Sequence, residues 1–454
     1  HPYSVQPCDH RRPDHLLIRR RAIGAWMDIP ANKESRTSLQ FREQIKRHAP
    51  RFAVEAFIKA RARLSAPPLE DIKLHDYRIS ADPSADARLT LVIPSVASQR
   101  AFGGVTTGID IFLSLGQRTG FDLRILADDF ETDGDRDLID RRARQFGLDP
   151  AGIALVPRSA QTPEVPVRRN DLFLSYNWWT TLNLNQLIEA QAALYGRPPL
   201  PLLYLIQEYE PAFYPFSSTH MLARLAFDSP WPAWGIFNSS ELFTYFTAQK
   251  HRVDRSYVFE PRLSDSLRPF VTQRDDKKRQ ILIYGRPAIA RNCFSLIEKG
   301  LVEWVKTDPA ARDWAIISAG TPHDDIPLGN GQAIRSVGKL SMEDYARMLQ
   351  TTAIGLSLMS SPHPSYPPLE MAHFGIRTIT NSFANKDLSA THPNIVSLAD
   401  VRPKAIAEAL ADACRAYEAD PRGGWDRCIE TPFLQPGPFH FVDQLAGDLK
   451  ALLA

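Results

Sequence analysis

One stretch decides the fold of this chain, because it combines a strand, a loop and a helix: residues 357–375 read SLMSSPHPSYPPLEMAHFG. The apolar run at residues 353–359 predicts a buried strand, and the Pro- and Ser-rich loop leads into a helix from about Pro368 to Gly375. Proline is tolerated in the first helical turn, and glycine suits the C-terminal cap. With a further strand predicted at residues 377–380, the pattern is typical of a parallel α/β sheet.

The start of this helix is a candidate anion site. Its first N–H groups carry a partial positive charge and point beyond the carboxyl end of the strand, where a phosphate can bind. Glu370 lies in the same first turn and offers a carboxylate to hydroxyl groups. Backbone amides that can bind phosphate lie next to a carboxylate that can bind hydroxyl groups. This combination favours a nucleotide diphosphate-sugar as the ligand.

Length and composition predict a globular protein of two α/β domains. The chain has 454 residues, of which 44% are apolar and 23% are charged. No apolar run approaches the ~20 residues of a transmembrane helix. The first residue is His1 rather than Met, which favours a trimmed, processed or excised chain. The four scattered cysteines indicate free thiols in a reducing cytosol rather than a disulfide framework or a zinc site.

Charge is unevenly distributed along the chain. Residues 1–64 carry 14 Lys and Arg against 6 Asp and Glu, whereas the whole chain has a net charge of only +2. This basic segment, which is expected to be helical, would either contact anionic lipid or an assembly partner, or it would form an ordinary solvated helix face. Nucleic-acid binding is not expected, because the rest of the chain is acidic and has no basic-aromatic track.

Two series of alternating strands and helices follow this basic segment. Apolar, β-rich runs predict the strands of the first series, at residues 89–94, 123–127, 153–156, 171–175, 202–206 and 235–237. Similar runs predict those of the second series, at residues 281–284, 315–318, 334–337, 353–359, 377–380 and 395–397. We therefore predict two doubly wound, Rossmann-like domains that face a central cleft, with ligands beyond the carboxyl ends of the strands.

The predicted domain boundaries follow these series. A basic, mostly helical extension covers residues 1–85, the first Rossmann-like domain, which would bind the acceptor, covers 86–265, and the second, which would bind the donor, covers 266–435. A C-terminal helix occupies residues 436–454.

Two arginines follow the first strand of the second domain. Tyr284 and Arg286 end that strand, and Arg291 comes five residues later. Two guanidinium groups at a strand's carboxyl edge make either a bidentate clamp for a diphosphate or a surface ion pair. We favour the clamp, because this turn is expected to face the same cleft as Glu370. Tyr284 is then a donor-binding residue.

A glycine pair opens the first helix of the first domain. Gly103 and Gly104 follow a predicted strand, where glycine lets the backbone approach a donor ligand or merely completes a turn. The full G-x-G-x-x-G fingerprint of dinucleotide-binding proteins is absent, which argues against a nicotinamide enzyme.

Aromatic and polar side chains follow two strands of the first domain. Asn177 and Trp178 come after one strand, and Gln207, Glu208 and Tyr209 come after the next. Rings with polar edges suit the faces of sugars, so we assign all five to an acceptor site. The alternative is ordinary packing under a loop, which is the stronger alternative for Trp178.

Histidines and carboxylates near these segments were also considered as ligands. His363 lies in the Pro- and Ser-rich loop and is assigned to the donor, whereas His373 lies on the helix flank and is expected to be structural. The acidic cluster at Asp133 to Asp137 lacks the later ligands of an EF-hand and suits a helix start instead. No metal site is expected.

The sequence resembles glycosyltransferases with two Rossmann-like domains, the GT-B type. It is similar to the retaining family 4 and, more narrowly, to the WsaF-type rhamnosyltransferases of bacterial surface-glycan assembly. The resemblance runs from about Leu89 over nearly the whole remaining chain. It is carried by motifs in a shared order: Phe102-Gly103-Gly104, Gln207-Glu208-Tyr209-Glu210-Pro211, Phe237-Asn238-Ser239, Tyr284-Gly285-Arg286-Pro287 with Arg291-Asn292, and residues 360–370.

The resemblance implies roles for residues around the Pro-rich turn. The family has two glutamates eight positions apart, and the second, which contacts the donor ribose, matches Glu370. The first falls at Pro362, which is not acidic, so that contact with the donor sugar is not carried over. His363 and the amides of Ser365 and Tyr366 are candidates to replace it.

The remaining family positions are basic and glycine residues. The pair that holds the diphosphate matches Arg286 and Arg291, which with Glu370 are the expected catalytic residues, and the glycine turn matches Gly103 and Gly104. The expected donor-binding set is completed by residues of the turn and helix start, namely His363, Ser365, Tyr366, Pro367 and Leu369. The resemblance also implies that the last helix crosses back to the first domain.

The resemblance implies a retaining sugar transfer without a metal cofactor. The expected donor is dTDP-β-L-rhamnose, and the expected acceptor is a glycan or lipid-linked glycan in the cytoplasm or at the inner face of the plasma membrane. A UDP- or GDP-sugar transferase is one alternative. A non-catalytic glycan- or nucleotide-binding module of a larger assembly protein is another.

Overall fold

A computed structural model of the chain describes residues 68–97, 103–130, 136–158, 164–437 and 439–454. Within it, Leu69–Ala454 forms one compact unit. The basic segment at residues 1–64 and the acidic stretch at Asp133 lie outside the described residues, so the membrane or partner contact assigned to the first of them stays a prediction.

The first lobe is built on a parallel sheet. Seven of its strands pair in the order β4-β3-β2-β6-β7-β8-β9, and β1 pairs with β5 in a separate parallel ribbon. The elements of this lobe are, in chain order, α1 (Leu69–Lys73), β1 (Arg78–Ala81), β2 (Arg88–Ile93), α2 (Gly103–Thr119), β3 (Asp122–Phe130), α3 (Asp137–Gln145), β4 (Ile153–Arg158), β5 (Glu164–Val167), β6 (Asp171–Ser175), α4 (Trp178–Tyr195), β7 (Leu202–Ile206), α5 (Ser218–Leu225), β8 (Ala233–Asn238), α6 (Ser240–Ala248) and β9 (Arg255–Phe259).

The second lobe repeats this plan. Its sheet has the order β12-β13-β11-β10-β14-β15-β16, and all pairs are parallel except the edge pair of β12 with β13. Its elements, followed by the last helix, are β10 (Lys278–Gly285), α7 (Phe294–Thr307), β11 (Ala315–Gly320), β12 (Ile326–Gly329), β13 (Gln332–Gly338), α8 (Met342–Thr351), β14 (Thr352–Leu356), α9 (Tyr366–His373), β15 (Arg377–Asn381), β16 (Ile395–Leu398), α10 (Pro403–Ala419), α11 (Gly423–Asp426) and α12 (Val442–Leu453).

Burial on both faces explains why the central strands are almost wholly apolar. Every residue of β2, β6, β7 and β8 is buried. Alternate residues of β2 face opposite sides: Leu91 packs in the core that contains α2, and Val92 packs in the core that contains α4. This two-sided burial is what a parallel sheet covered by helices requires. The two doubly wound sheets predicted from the sequence are confirmed.

Each sheet has a switch point where the chain reverses its direction of growth. In the first sheet this point lies between β2 and β6, and in the second it lies between β10 and β14. Loops after the strands on either side of a switch point diverge and leave a crevice between them. The segments after β10 and β14, which contain Arg286 and residues 357–365, therefore flank one crevice in the second lobe.

The ends of the compact unit both belong to the first lobe. Because β1 pairs with β5, residues 69–85 are part of this lobe rather than of the extension predicted at residues 1–85. At the other end, Leu445 and Leu449 of α12 are fully buried in the core that contains α2. Within the described residues, none of the helices combines the length and apolar character needed to cross a membrane.

The decisive stretch starts its helix earlier than predicted. Helix α9 begins at Tyr366, so Pro368 is its third residue, and β14 ends at Leu356 rather than at residue 359. Ser365 precedes the helix with a φ of +72°, a left-handed value that is uncommon outside glycine. This strained residue turns the chain into the helix, which the composition of the turn did not indicate.

Two glycines let β10 and β11 end close together. Gly285 and Gly320 are paired across these strands. A Cβ atom on Gly285 would lie 1.8 Å from the Ser318 hydroxyl oxygen, and one on Gly320 would lie 2.2 Å from the Gly285 carbonyl oxygen. No heavy side-chain atom fits at either position, so glycine is required here for packing.

We predict that Gly285→Ala destabilises the protein. The new methyl group must displace Ser318, so the free energy of unfolding should fall by about 1–3 kcal/mol in urea titrations. Gly152→Ala is the matched control, because a Cβ atom there meets nothing within 4 Å. Equal effects of the two substitutions would contradict the packing argument.

Candidate functional site

A seven-residue loop organises the crevice of the second lobe. This cleft loop, residues 359–365, is the part of the connection between β14 and α9 that directly precedes α9. The Ser360 amide donates to the Arg291 carbonyl oxygen at 2.8 Å. The Met359 carbonyl oxygen accepts a hydrogen bond from Lys386 Nζ at 2.9 Å. The loop thereby brings together the segments that follow three different strands.

The two arginines predicted to hold a diphosphate both lie at this crevice. The Arg286 guanidinium donates to the Tyr284 hydroxyl over 3.4 Å. The Arg291 guanidinium lies 4.2 Å from the ring centroid of Phe213, a residue of the first lobe. Within the described part of the chain, neither guanidinium forms an ion pair with a carboxylate. Their charges are thus available to an anionic ligand.

A carboxylate of the first lobe reaches the cleft loop. The Ser361 hydroxyl donates a hydrogen bond to Glu208, and the Tyr209 amide donates to the same carboxylate oxygen, Oε1, at 3.1 Å. Burial raises the pKa of Glu208, while the Ser361 hydrogen bond and the charges of Arg291 and Lys386 act in the opposite direction. Glu208 is therefore a partly buried carboxyl group whose raised pKa is moderated by two cations and a hydroxyl, which favour the ionised form.

Lys386 is a cation of this site that the sequence reasoning missed. Its side chain is almost fully buried, and burial lowers its pKa to about 8, against the opposing effect of Glu208. It follows β15 and so lies at the carboxyl edge of the sheet. That placement is the signal that could have identified it, but residues 382–386 carry no recognisable motif.

A second carboxylate of the first lobe lies near Glu208. Glu210 Oε2 accepts hydrogen bonds from the Trp178 amide at 2.6 Å and from the Tyr204 hydroxyl at 3.2 Å. Burial, together with the charge of Glu208, raises the pKa of Glu210 to about 8. Most protein molecules therefore have a protonated Glu210 at neutral pH. The hydrogen bond from the Trp178 amide to Glu210 also fixes the start of α4.

Glu370 lies on α9 beside the crevice, in the lobe that carries both arginines. The Tyr345 hydroxyl donates to its Oε2 atom at 2.9 Å. Burial raises the pKa of Glu370 to about 7, and the Tyr345 hydrogen bond opposes that rise. A carboxyl group with this pKa can accept or donate a hydrogen bond to a ligand hydroxyl near neutral pH.

The N-terminus of α9 offers fewer amides than its position suggests. The Ser365 amide donates to His363 Nδ1 at 3.0 Å. Pro367 and Pro368, the second and third helical residues, have no N–H group. Leu369 is buried in the apolar core of the second lobe. Of the predicted amide donors at the helix start, only Tyr366 therefore has an amide that no side chain of the turn occupies.

His363 is held as a neutral imidazole with one ring nitrogen unused. Because Nδ1 accepts the Ser365 amide hydrogen, the proton of the neutral ring lies on Nε2. Nε2 is buried and has no hydrogen-bond partner among the described residues. Burial, followed by the charges of Lys386 and Arg291, lowers the pKa of His363 to about 3. The structure thus presents a fixed N–H donor.

Gly104 and Gln207 meet in the first lobe, where the segments after β2 and β7 come together. The Gln207 side-chain amide donates to the Gly104 carbonyl oxygen at 3.1 Å. A Cβ atom on Gly104 would lie 2.8 Å from the Tyr176 hydroxyl oxygen. Gly103 is the first residue of α2. The glycine at 104 is therefore required for close packing of this turn against Tyr176.

Three residues assigned to an acceptor site have structural contacts instead. The Asn177 side chain caps α4 by accepting the Thr180 amide. Trp178 is fully buried, and its indole N–H donates to the Tyr214 hydroxyl at 3.0 Å.

Tyr209 is the third of these residues. Its hydroxyl contacts His251 Nε2 at 3.1 Å within an aromatic core of the first lobe. The structure does not bring Asn177, Trp178 or Tyr209 to the cleft loop with free polar groups, because helix capping and core packing use them.

The described residues were expected to contain no metal site. No group of three or more His, Cys, Asp or Glu side chains there could hold a metal ion. His373, expected to be structural, is buried with its two ring nitrogens next to the Leu369 carbonyl oxygen and the Thr431 hydroxyl.

Comparison with known proteins defines the family. The sequence matches the WsaF N-terminal domain over residues 88–240 and the WsaF C-terminal domain over residues 279–411. The chain belongs to the WsaF family. Arg286, Arg291 and Glu370 lie within the second match, and Gln207 and Glu208 lie within the first.

The chain is also similar to a curated relative. The O-antigen biosynthesis protein RfbC of Myxococcus xanthus is 27% identical over 279 residues, which are 60% of this chain and 20% of the relative. The chain thus spans about a fifth of the length of that relative.

The solved structure of OtsA confirms the fold. OtsA in its apo form superposes with a TM-score of 0.53 at 10% identity, covering 80% of this chain and 99% of that one. WaaG, a glycosyltransferase involved in lipopolysaccharide biosynthesis, is also similar, with a TM-score of 0.49 at 10% identity over 80% of this chain and 99% of WaaG. The chain has the GT-B glycosyltransferase fold expected from its sequence.

We predict that Glu370 makes stability depend on pH. The folded pKa of Glu370 is about 7, above the ~4.3 of an unfolded glutamate, so its stabilising contribution is complete at low pH and is lost as pH rises through 7. Glu370→Gln mimics the protonated form. Between about pH 4 and pH 8, a range that brackets the unfolded and folded pKa values, the free energy of unfolding should fall less in this variant than in the wild type.

Tyr345→Phe provides the control for this measurement. It removes the hydrogen bond that favours the carboxylate, so the pH-dependent loss should extend to a higher pH than in the wild type. Parallel curves for the wild type and Glu370→Gln would rule out a raised pKa at this position.

Proposed function

We propose that this chain is a glycosyltransferase that moves a sugar from a nucleotide diphosphate-sugar to a hydroxyl group of a glycan acceptor. The observation that carries the proposal is the crevice of the second lobe, where Arg286 and Arg291, without carboxylate partners in the described residues, lie at the carboxyl edge of the sheet that also carries Glu370. A nucleotide diphosphate-sugar contains a diphosphate, which the two cations would bind, and hydroxyl groups, which the carboxyl group would bind.

The favoured donor is dTDP-β-L-rhamnose. Membership of the WsaF family supports rhamnose, and the relative named for O-antigen biosynthesis supports a surface polysaccharide as the product. The resemblance to family 4 supports retention of the anomeric configuration. UDP- and GDP-sugars are the alternative donors, because no residue described above distinguishes thymine from uracil or guanine.

The arginines would act on the leaving group. As the bond from the anomeric carbon to the diphosphate oxygen breaks, negative charge grows on the diphosphate, and fixed guanidinium groups stabilise it. Arg286 and Arg291 supply this positive charge, and the Tyr366 amide adds a neutral donor. Glu370 would bind the ribose hydroxyls and so orient the nucleotide. The departing phosphate would take the proton of the acceptor hydroxyl.

The acceptor would bind on the first lobe. Gln207 and Glu208 are the assigned residues that directly follow β7, where Gln207 contacts the Gly104 turn and Glu208 contacts the cleft loop. The acceptor is proposed to be a glycan or a lipid-linked glycan. A peripheral contact of the basic residues 1–64 with the inner face of the plasma membrane, or with an assembly partner, would bring the enzyme to a lipid-linked acceptor.

We predict that Arg286→Ala weakens donor binding without unfolding the protein. Loss of charge-assisted hydrogen bonds worth about 1.5–3 kcal/mol should raise the Kd for dTDP by roughly 10- to 150-fold in calorimetry. Thermal stability should be nearly unchanged, because among the described residues the only hydrogen bond of this guanidinium is to the Tyr284 hydroxyl.

Arg279→Ala is the matched control, since Arg279 pairs with Glu418 on the surface. Its Kd for dTDP should equal that of the wild type. Unchanged affinity in Arg286→Ala would remove this arginine from the donor site.

Turnover separates an enzyme from a binding module. Incubation with dTDP-rhamnose, UDP-glucose or GDP-mannose and a rhamnose-containing glycan should release the nucleotide from one donor, measured by chromatography. The same donor should raise the melting temperature, because a ligand that binds only the folded protein stabilises it by mass action. Thermal stabilisation with no nucleotide release from any donor would favour the non-catalytic module.

A further inference from the structure

The first lobe supplies an acidic group to a loop that has none. The cleft loop, residues 359–365, contains serine, proline, histidine and methionine but no carboxylate. Glu208 from the first lobe accepts the hydroxyl hydrogen of Ser361, which directly precedes Pro362 in the loop. The carboxylate of Glu208 therefore lies next to the backbone of the loop that faces the donor crevice.

Glu208 has one oxygen committed to the protein and one that is not. Its Oε1 atom accepts from both Ser361 and the Tyr209 amide. Within the described residues, its Oε2 atom takes part in no hydrogen bond. A carboxylate oxygen has lone pairs for two hydrogen bonds, so this atom can bind hydroxyl groups of a ligand.

The cations around Glu208 belong to the second lobe. Arg291 and Lys386 both lower the pKa of this carboxyl group by their charge. Arg291 is also one of the two residues proposed to bind the diphosphate. Because Glu208 interacts electrostatically with Arg291, it lies near the proposed position of one end of the diphosphate. In a nucleotide diphosphate-sugar, the group attached to that end is the sugar itself.

We propose that Glu208 binds hydroxyl groups of the transferred sugar through Oε2, and that it is a donor-specificity residue rather than an acceptor residue. The inference rests on the proposed function. Ser361 holds Oε1, so the carboxylate can bind the sugar only while the two lobes are in contact. Recognition of the sugar is thereby linked to contact between the two lobes.

The test compares binding of a nucleotide with and without its sugar. The wild type is expected to bind dTDP-rhamnose more tightly than dTDP in calorimetry, with UDP-glucose against UDP and GDP-mannose against GDP as parallel pairs. Glu208→Gln keeps the size of the side chain and removes its charge. It should leave the Kd for the free nucleotide within about twofold and weaken binding of the matching nucleotide sugar by roughly 5- to 50-fold.

Two further variants control for structural effects. Glu189→Gln changes an exposed glutamate of α4 and should behave as the wild type. Ser361→Ala keeps the carboxylate but removes the hydrogen bond across the lobes, and it should also reduce the preference for the nucleotide sugar.

The opposing results separate this inference from the proposed function. An unchanged preference for the nucleotide sugar in Glu208→Gln overturns the sugar contact and returns Glu208 to the acceptor site. An equal loss of affinity for nucleotide and nucleotide sugar also overturns it, because it indicates a general defect of the crevice. If the wild type binds neither ligand of any pair, the proposed function itself fails, and this inference fails with it.

Discussion

The hydrogen bonds of the cleft loop, residues 359–365, are the constraint on which the candidate site depends. The Met359 carbonyl oxygen accepts a hydrogen bond from the Lys386 side chain. The Ser360 amide donates to the Arg291 carbonyl oxygen, and the Ser361 hydroxyl donates to the Glu208 carboxylate. Each bond fixes a segment that is distant in sequence. Without the loop, the ends of β7, β10 and β15 would have no common contact, and their charged groups would not share one crevice.

The charges at this crevice do not cancel, and the excess has a consequence. Arg286, Arg291 and Lys386 are cationic groups, whereas Glu208 is a carboxyl group whose pKa burial raises against the opposing charges of Arg291 and Lys386. Burying charges in a protein is costly unless opposite charges compensate. The surplus of positive charge is best compensated by an anionic ligand. This physical argument, made without reference to the family, agrees with a diphosphate as the group that the crevice receives.

Regular alternation of apolar segments was sufficient to predict most of the fold. Strands such as β2 and β7, buried at every residue, were identified because two-sided burial leaves a continuous apolar run. The edge strand β12 and the strand β9 were not predicted, because their residues are largely exposed or of mixed burial. Edge strands lack the pattern that burial imposes, and their existence depends on pairing with a neighbour.

The sequence by itself predicted that Arg286 and Arg291 follow a strand and that Glu370 lies on a helix of the same lobe, and so predicted these three residues as a set. Only the tertiary structure decided how each side chain is used. The Tyr209 side chain lies in an aromatic core, and Trp178, the first residue of α4, is fully buried, whereas Glu208 contacts the opposite lobe. The reason is physical: strand order follows from local apolar patterns, but the partner of a polar side chain is set by contacts between segments far apart in the chain.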